Sequence, residues 1–563
     1  MDPTNYNSWT KLGLVKRVHQ LEAELQRRPP ALEPEPEAQQ HDGVEAAAPT
    51  PGTTKPKVKR KMDPTKYSTR FIALKLAYLG KNYGGFEFQA MCKQPTIEEE
   101  LWNALTKACL IFPEDEKIVD FNICEYSKCG RTDRGVSAFG QVIGIRVRSN
   151  KPLPREPRQR VEEDEMGGQA EQEQEAAAKE KPFDPIADEI PYPMLLNRLL
   201  PPDIRILAWC PSPPPDFSAR FSCRERQYRY FFTQPAFSPE PSAGSSDGAP
   251  PSGWLDIDAM RDAAKRFEGE QDFRNLCKVD PAKLITNWKR TIFESDIVEV
   301  EEGATALPYI TAAGFSPADL AAAGSGRSFP KVYYFHVRGS AFLWHQIRHM
   351  VAVLFLVGQR LERPEVVSEL LDVEKYPGKP GYPMADEVPL VLWDCVFPDL
   401  IPAADAGEVP PSANNKHVDS MQWIRAGAET SSRMRAGQFG PFGALDGMWK
   451  VWRGHKMDEL LSGRLLQLMA EQAAESEGED GTTRHEEKQL PPSNKKAALS
   501  VRLYEGGNTG RPAGKYVPME KKDKLESPDE LNDKYARRKG FVDAADMRAR
   551  RYEGKDVVMQ DDE

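Results

Sequence analysis

The stretch Ala341–Gly358, AFLWHQIRHMVAVLFLVG, is apolar around almost the whole circumference of the helix it would form, with Arg348 as its one strongly charged side chain. A helix that is apolar on every side has to be enclosed by other elements. The chain must therefore build a core large enough to surround this segment. An arginine and two histidines interrupt the run, and no segment approaches the roughly 18 apolar residues of a membrane span. It reads as a core helix, and no membrane association is expected. An arginine inside such a helix needs a partner, and a carboxylate in a catalytic loop would serve.

Strand and helix patterns on the N-terminal side supply the material for that core. RFIALKLAYLG (70–80) alternates as a strand, and PTIEEELWNALTKACLI (95–111) offers Thr96 as N-cap with Glu99 three residues on. That is a capping box, and Ile97, Leu101, Leu105 and Ala108 share one helical face behind it. KIVDFNI (117–123) and QVIGIRV (141–147) read as strands flanking the loop SKCGRTDRGVSAFG (127–140). The rhythm then repeats. YPMLLNRLLP (192–201) and DIDAMRDAAKRFEG (256–269) read as helices; DIRILAWC (203–210), RQYRYFFT (226–233), RTIFESDIVEV (290–300) and KVYYFHVRG (331–339) read as strands. Two such rounds predict an α+β fold with helices packed on a mainly antiparallel sheet.

A chain of 563 residues has room for three or four domains at about 150 residues each, but the composition argues for fewer. With 48 Pro and 40 Gly, several stretches have almost no apolar residues and cannot form a core. The organisation read from these shifts is an N-terminal helix at 1–28 with Leu14, Val18, Leu21 and Leu25 spaced 4-3-4, then a linker at 29–66 carrying a basic run at 55–61. A first catalytic half follows at 67–150, an acidic insert at 151–189, a second half at 190–400, a linker at 401–436, a helical extension at 437–474 and a disordered charged tail at 475–563. The net charge of −10 is concentrated: 151–189 carries −6 and 471–490 carries −5, so local patches and not the bulk charge decide what the protein binds. Eight cysteines without a C-x-x-C pair, and no signal peptide, predict reduced thiols inside the cell. The basic run suits nuclear import or a phosphate patch.

The loop at 127–140 holds one acid, Asp133, between Arg131 and Arg134 and between Gly130 and Gly135. Two guanidinium neighbours favour the charged form. Such a carboxylate is a nucleophile or an electrostatic stabiliser; its plainer alternative is a loop ion pair. A second cluster, DFSARFSCRERQYRYFF (216–232), interleaves Arg220, Arg224, Arg226 and Arg229 with Phe217, Phe221, Tyr228 and Tyr230, which suits gripping phosphates and stacking on bases. On a strand Tyr228 and Tyr230 share one face and Arg229 takes the other. His345 and His349 have a metal-ligand spacing, but the intervening glutamate and a third ligand are missing, so no metal is expected. Phosphate-loop and dinucleotide-binding motifs are also missing, and YLGKNYGGF (78–86) lacks the dinucleotide spacing. The chemistry is therefore expected to come from side chains alone, with no cofactor.

CGRTDRGVSAFGQV (129–142) closely resembles the catalytic signature of the TruA-type tRNA pseudouridine synthases. LAYLGKNYGGFEFQ, LNRLLPPDIRI, DFSARFSCRERQYRYFF, FEGEQDFRNLCK and GSAFLWHQIRHMV match further family segments in the family's order, covering about 71–398. The resemblance implies two ferredoxin-like halves joined across a basic cleft, tRNA as partner, neither metal nor redox cofactor, and a homodimer. SKCGRTDRGVSAFGQVI and FRNLCKVD look like the eukaryotic branch that modifies tRNA positions 38 and 39, with nucleus and cytoplasm as the expected locations. A multisite enzyme of the same family is the alternative, and a tRNA-binding chaperone without chemistry is the rival outside it. By motif position the resemblance implies Asp133 as the catalytic aspartate and Arg131 as the side chain entering the RNA stack where the target leaves. It implies Tyr228 as the ring that packs on uracil and assists proton transfer, and Arg348 as the partner of Asp133. Arg134, Arg220, Arg226 and Arg229 are expected along the RNA path.

Overall fold

A computed structural model of the chain describes residues 62–90, 92–115, 118–153, 182–239, 253–301, 330–397, 421–426, 443–478, 502–508, 510–512 and 514–553. The expected N-terminal helix, the basic run at 55–61 and most of the acidic insert lie outside them.

The first half runs β1 (Ser68–Tyr78), α1 (Ile97–Lys107), β2 (Ser127–Lys128), β3 (Ser137–Ser149), α2 (Tyr192–Asn197) and β4 (Ile204–Cys210). Its strands are ordered β4-β1-β3-β2, and β1 is antiparallel to both neighbours. This is the βαββαβ arrangement of a ferredoxin-like unit. The second half repeats it with β5 (Glu225–Gln234), α3 (Ile257–Lys265), β6 (Gly269–Asp272), β7 (Lys289–Glu299), β8 (Lys331–Gly339), α4 (Gln346–Gly358), α5 (Val366–Leu371) and β9 (Leu390–Val396). The order is β9-β5-β8-β7, with the short β6 added at the edge. A single parallel contact, Ser137↔Val391 and Ala138↔Leu392, welds β3 to β9 and makes one sheet of the two. Asp133 lies in the loop that enters β3 just before this weld.

Local sequence explains the helices. Thr96 accepts from the Glu99 N–H and Glu99 reaches back to the Thr96 N–H, the expected capping box of α1. Ile97, Leu101 and Leu105 are buried on its inner face. Every residue of α4 is buried, with Phe355 set edge-on against Tyr230 and Phe232, as an all-round apolar helix requires.

Three expectations are corrected. KIVDFNI is not a strand: Asp120 accepts from the Asn122 N–H and winds Phe121–Cys124 into a 3-10 turn, a local side-chain bond outcompeting the ladder. The helix expected from Ala341 starts only at Gln346, whose side-chain oxygen folds back to accept from the Leu343 N–H at 2.8 Å. The third concerns the C-terminal end. After β10 (Ile424–Arg425) and α6 (Ala444–Gly478), the supposed tail forms β11 (Arg502–Leu503), β12 (Arg511–Pro512), α7 (Pro528–Arg538) and α8 (Ala544–Glu553). Its charged composition hides a few anchors: Leu503, Tyr504, Met519, Ala536 and Met547 are buried, and Ser527 with Glu530 caps α7 by a capping box. Among the described residues no helix is long and apolar enough to cross a membrane.

Candidate active site

The loop between β2 and β3 is held by its backbone. Buried Gln141 on β3 accepts from the Gly130 N–H at 3.0 Å and donates to the Gly130 carbonyl at 2.7 Å, closing the base of the loop like a ladder pair. Tyr78 and Thr132 share a hydroxyl hydrogen bond of 2.6 Å. The Phe86 N–H donates to the Thr132 carbonyl at 3.0 Å and the Gly135 N–H to the Tyr83 carbonyl at 3.3 Å. These contacts explain the glycines of YLGKNYGGF. A Cβ at Gly80 would fall 2.0 Å from the Val136 carbonyl oxygen, and Gly85 adopts φ +113° against Thr132–Arg134. The glycine-rich turn supports the Asp133 loop; it is no nucleotide cradle.

The Asp133 carboxylate meets Trp344 and His345. Trp344 donates Nε1–H to Oδ1 at 3.2 Å, and His345 Nε2 lies 3.4 Å from Oδ2. Both come from the loop before α4, where His345 takes the left-handed φ of 59°. The Asp133 side chain stays 30% exposed, so one flank of the carboxylate is open.

Arg348 does not pair with Asp133, contrary to the expectation. Its Nε donates to the Ala385 carbonyl and its Nη2 to Glu387 Oε2, each at 2.7 Å. The late start of α4 puts Trp344 and His345 over Asp133 and leaves Arg348 one turn inside the helix, where Glu387 is the carboxylate within reach. Arg131 and Arg134 do not clamp Asp133 either: Arg131 Nε lies 3.5 Å from Glu87, Arg134 Nη2 lies 3.5 Å from Glu387, and both arginines are more than half exposed. Glu387 thus touches Arg348, Arg134 and, through its Cγ, the position a side chain would take at Gly135.

On β5, Tyr228 packs edge-on against Phe342 at 5.2 Å, and burial pushes its phenol well above the ordinary value, so it stays neutral. Tyr230 shares its face but is wholly buried. Two of the arginines expected to meet RNA are engaged inside the protein. Arg226 donates to the carbonyls of Ser340 (2.7 Å), Cys129 (3.3 Å) and Arg220 (3.0 Å). Arg229 lies 3.7 Å over the Trp393 ring and 4.4 Å over Tyr334. Arg220 lies 5.1 Å over the exposed ring of Phe221. Gln141, Trp344 and Lys278, whose Nζ sits 4.3 Å over Trp344, lie inside the matched segments without being singled out there, and Glu387 lies in none of them; the contacts identify all four.

His345 and His349 meet different partners. His349 packs edge-on against Tyr382, with Lys379 Nζ 3.4 Å from its Nε2. Burial first, then the charge of Lys379, lowers its pKa to about 2. Because the folded value lies below the unfolded one, the neutral imidazole's contribution is complete above the unfolded value of about 6.5 and is lost as pH falls. At pH 5 the loss is about 2 kcal/mol. Urea unfolding of wild type and His349→Gln at pH 7.5 and pH 5 should show the wild type losing about 2 kcal/mol more than the variant; parallel losses would contradict this.

Known proteins share sequence with this chain over much of its length. A family profile described as tRNA pseudouridine synthase matches residues 263–398. The tRNA pseudouridine(38/39) synthase of Saccharomyces cerevisiae is 39% identical over 403 residues, covering 70% of this chain and 72% of the yeast protein. The Homo sapiens protein of the same name is 41% identical over 388 residues, 69% of this chain and 66% of its own length. The tRNA pseudouridine synthase A of Methanothrix thermoacetophila is 29% identical over 333 residues, 58% of this chain and 84% of its own length. Identity at the yeast level, carried on a sheet of two ferredoxin-like halves, reflects common descent: this chain belongs to the tRNA pseudouridine synthases, isomerases acting on uridine in tRNA.

Proposed function

We propose that the chain isomerises uridine to pseudouridine at positions 38 and 39 of the tRNA anticodon stem-loop, with Asp133 attacking a uridine extruded from the RNA. The observation that carries this reading is the Asp133 carboxylate itself, held from one side by Trp344 and His345 and 30% exposed on the other. An ionised carboxylate has about four acceptor positions; the two contacts leave lone pairs on the open flank for attack. One carboxylate serves attack at C6 of the base or at C1′ of the sugar. Either route exchanges the N1–C1′ bond for a C5–C1′ bond.

Extrusion costs a few kcal/mol, which stacking and phosphate contacts offset. Arg131, two residues from Asp133 and half-exposed, would enter the gap. Arg134 and the exposed Phe221 beside Arg220 supply further contacts. Tyr228 supplies a neutral ring to pack on uracil. The restriction to positions 38 and 39 rests on the names of the yeast and human relatives.

The test is to incubate the full chain with tRNA transcripts carrying uridine at 38, 39 and elsewhere, and to map pseudouridine by carbodiimide-dependent stops in reverse transcription. Product confined to 38 and 39 is the expected result. Product at scattered sites would favour a multisite enzyme, and bound but unconverted tRNA would favour a chaperone.

A further inference from the structure

Three buried thiols meet where the two halves of the sheet join. Cys129 opens the Asp133 loop directly after β2, Cys223 precedes β5, and Cys395 lies on β9 opposite Arg226 of β5. Their sulfur atoms lie within 4.8 Å of one another, and the residues are 5%, 7% and 1% exposed respectively. None is in a disulfide. The isomerisation chemistry leaves all three unused.

A cation lies against this cluster. Arg226 is part-buried there: its guanidinium donates to the carbonyls of Cys129, Ser340 and Arg220, and Cys395 is its cross-strand neighbour. No ion pair with a carboxylate among the described residues includes Arg226. A guanidinium partly withdrawn from water is stabilised by a nearby counter-charge, which thiolates of this cluster would supply.

We propose that Cys129, Cys223 and Cys395 form a binding site for a thiophilic divalent metal ion, for which Zn2+ is the natural test, fastening the base of the Asp133 loop to the second half. Three thiolates around a divalent ion leave one net negative charge, which Arg226 neutralises. Zinc–sulfur bonds of about 2.3 Å in tetrahedral geometry put sulfurs roughly 3.8 Å apart. Small side-chain rotations close the present spread to that value. No fourth histidine, cysteine or carboxylate joins the group among the described residues, so the fourth position falls to water or a backbone carbonyl. Metal uptake displaces the protons the thiols hold, so affinity rises with pH. Held by Cys129, four residues before Asp133, the ion would act by positioning the loop.

The full chain, reduced and stripped with a chelator, should be titrated with Co2+ and then Zn2+ in the absence of RNA. The expected result is one ion per chain, with a thiolate-to-cobalt charge-transfer band that Zn2+ abolishes. The band should be lost in Cys223→Ser and Cys395→Ser and kept in Cys277→Ser, a thiol buried elsewhere. Should the first two variants fail to fold, zinc-edge X-ray absorption on the wild type decides: three sulfur neighbours support the site, and one or none overturns it. A wild-type chain that binds no Co2+ while all its thiols titrate as reduced also overturns it. So does a disulfide among the three with no metal uptake after its reduction. Because no RNA is present, failure here is distinct from failure of the pseudouridine reading.

Discussion

Asp133→Asn should bind tRNA as the wild type does and form almost no pseudouridine, a loss of roughly 10⁴-fold or more, as expected when a nucleophile is removed. The substitution keeps the shape of the side chain and the Oδ1 acceptor for Trp344 Nε1. The loop has its own supports at Gln141, Thr132, Phe86 and Tyr83, so the fold should change by no more than about 1 kcal/mol. What is lost is the anion with free lone pairs, and an amide cannot replace it. Affinity should hold or tighten slightly, because the contacts proposed for RNA are cations such as Arg131 and Arg134 and a negative charge has left their neighbourhood. Single-turnover conversion and filter binding at one fixed salt concentration measure the two effects separately. Activity within tenfold of wild type would remove Asp133 from the chemistry.

Features set by local chemistry were legible before any coordinates. The capping box at Thr96 and Glu99, the period-two strands and the all-round apolar α4 each rest on residues close in sequence, and the two rounds of strand and helix foretold the twin halves. Asp133 stood out as a candidate for the same reason, because its glycines and arginines lie within a few positions of it. Its partners did not. Trp344 and His345 reach it from more than 200 residues away, and only the exact start of α4 decides whether they or Arg348 face the carboxylate. Here the helix start goes with one side-chain hydrogen bond, accepted by Gln346 from the Leu343 N–H, and periodicity is blind to it. The arginine cluster shows the same limit from another side: interleaving with aromatics suits RNA, yet Arg229 spends its charge on Trp393 and Tyr334 within the sheet. Charge density likewise concealed the structure of α7 and α8, since a few buried anchors suffice to dock a polar segment on an existing body.

Arg348 and Glu387 should behave as one unit in stability and activity. Removing one member of an enclosed ion pair leaves the other uncompensated, at a cost of about 3–5 kcal/mol when both are buried. Arg348 is 9% exposed and Glu387 23% exposed, so about 3 kcal/mol is expected for Arg348→Met and slightly less for Glu387→Gln, which retains one acceptor. The double variant should lose less than the sum of the singles, with a coupling of about 1–2 kcal/mol in urea unfolding. Both singles should also slow pseudouridine formation while leaving tRNA affinity nearly unchanged, because Glu387 lies against Gly135, two residues from Asp133, and its release loosens the loop. Arg348→Lys should recover only part of the loss, since an ammonium cannot hold Ala385 and Glu387 in the same fork geometry. The direct Arg348–Asp133 pairing suggested by motif position makes the opposite forecast: Arg348→Met would be severe and Glu387→Gln silent. Full additivity of the two substitutions would likewise break the link from Arg348 through Glu387 to the catalytic loop.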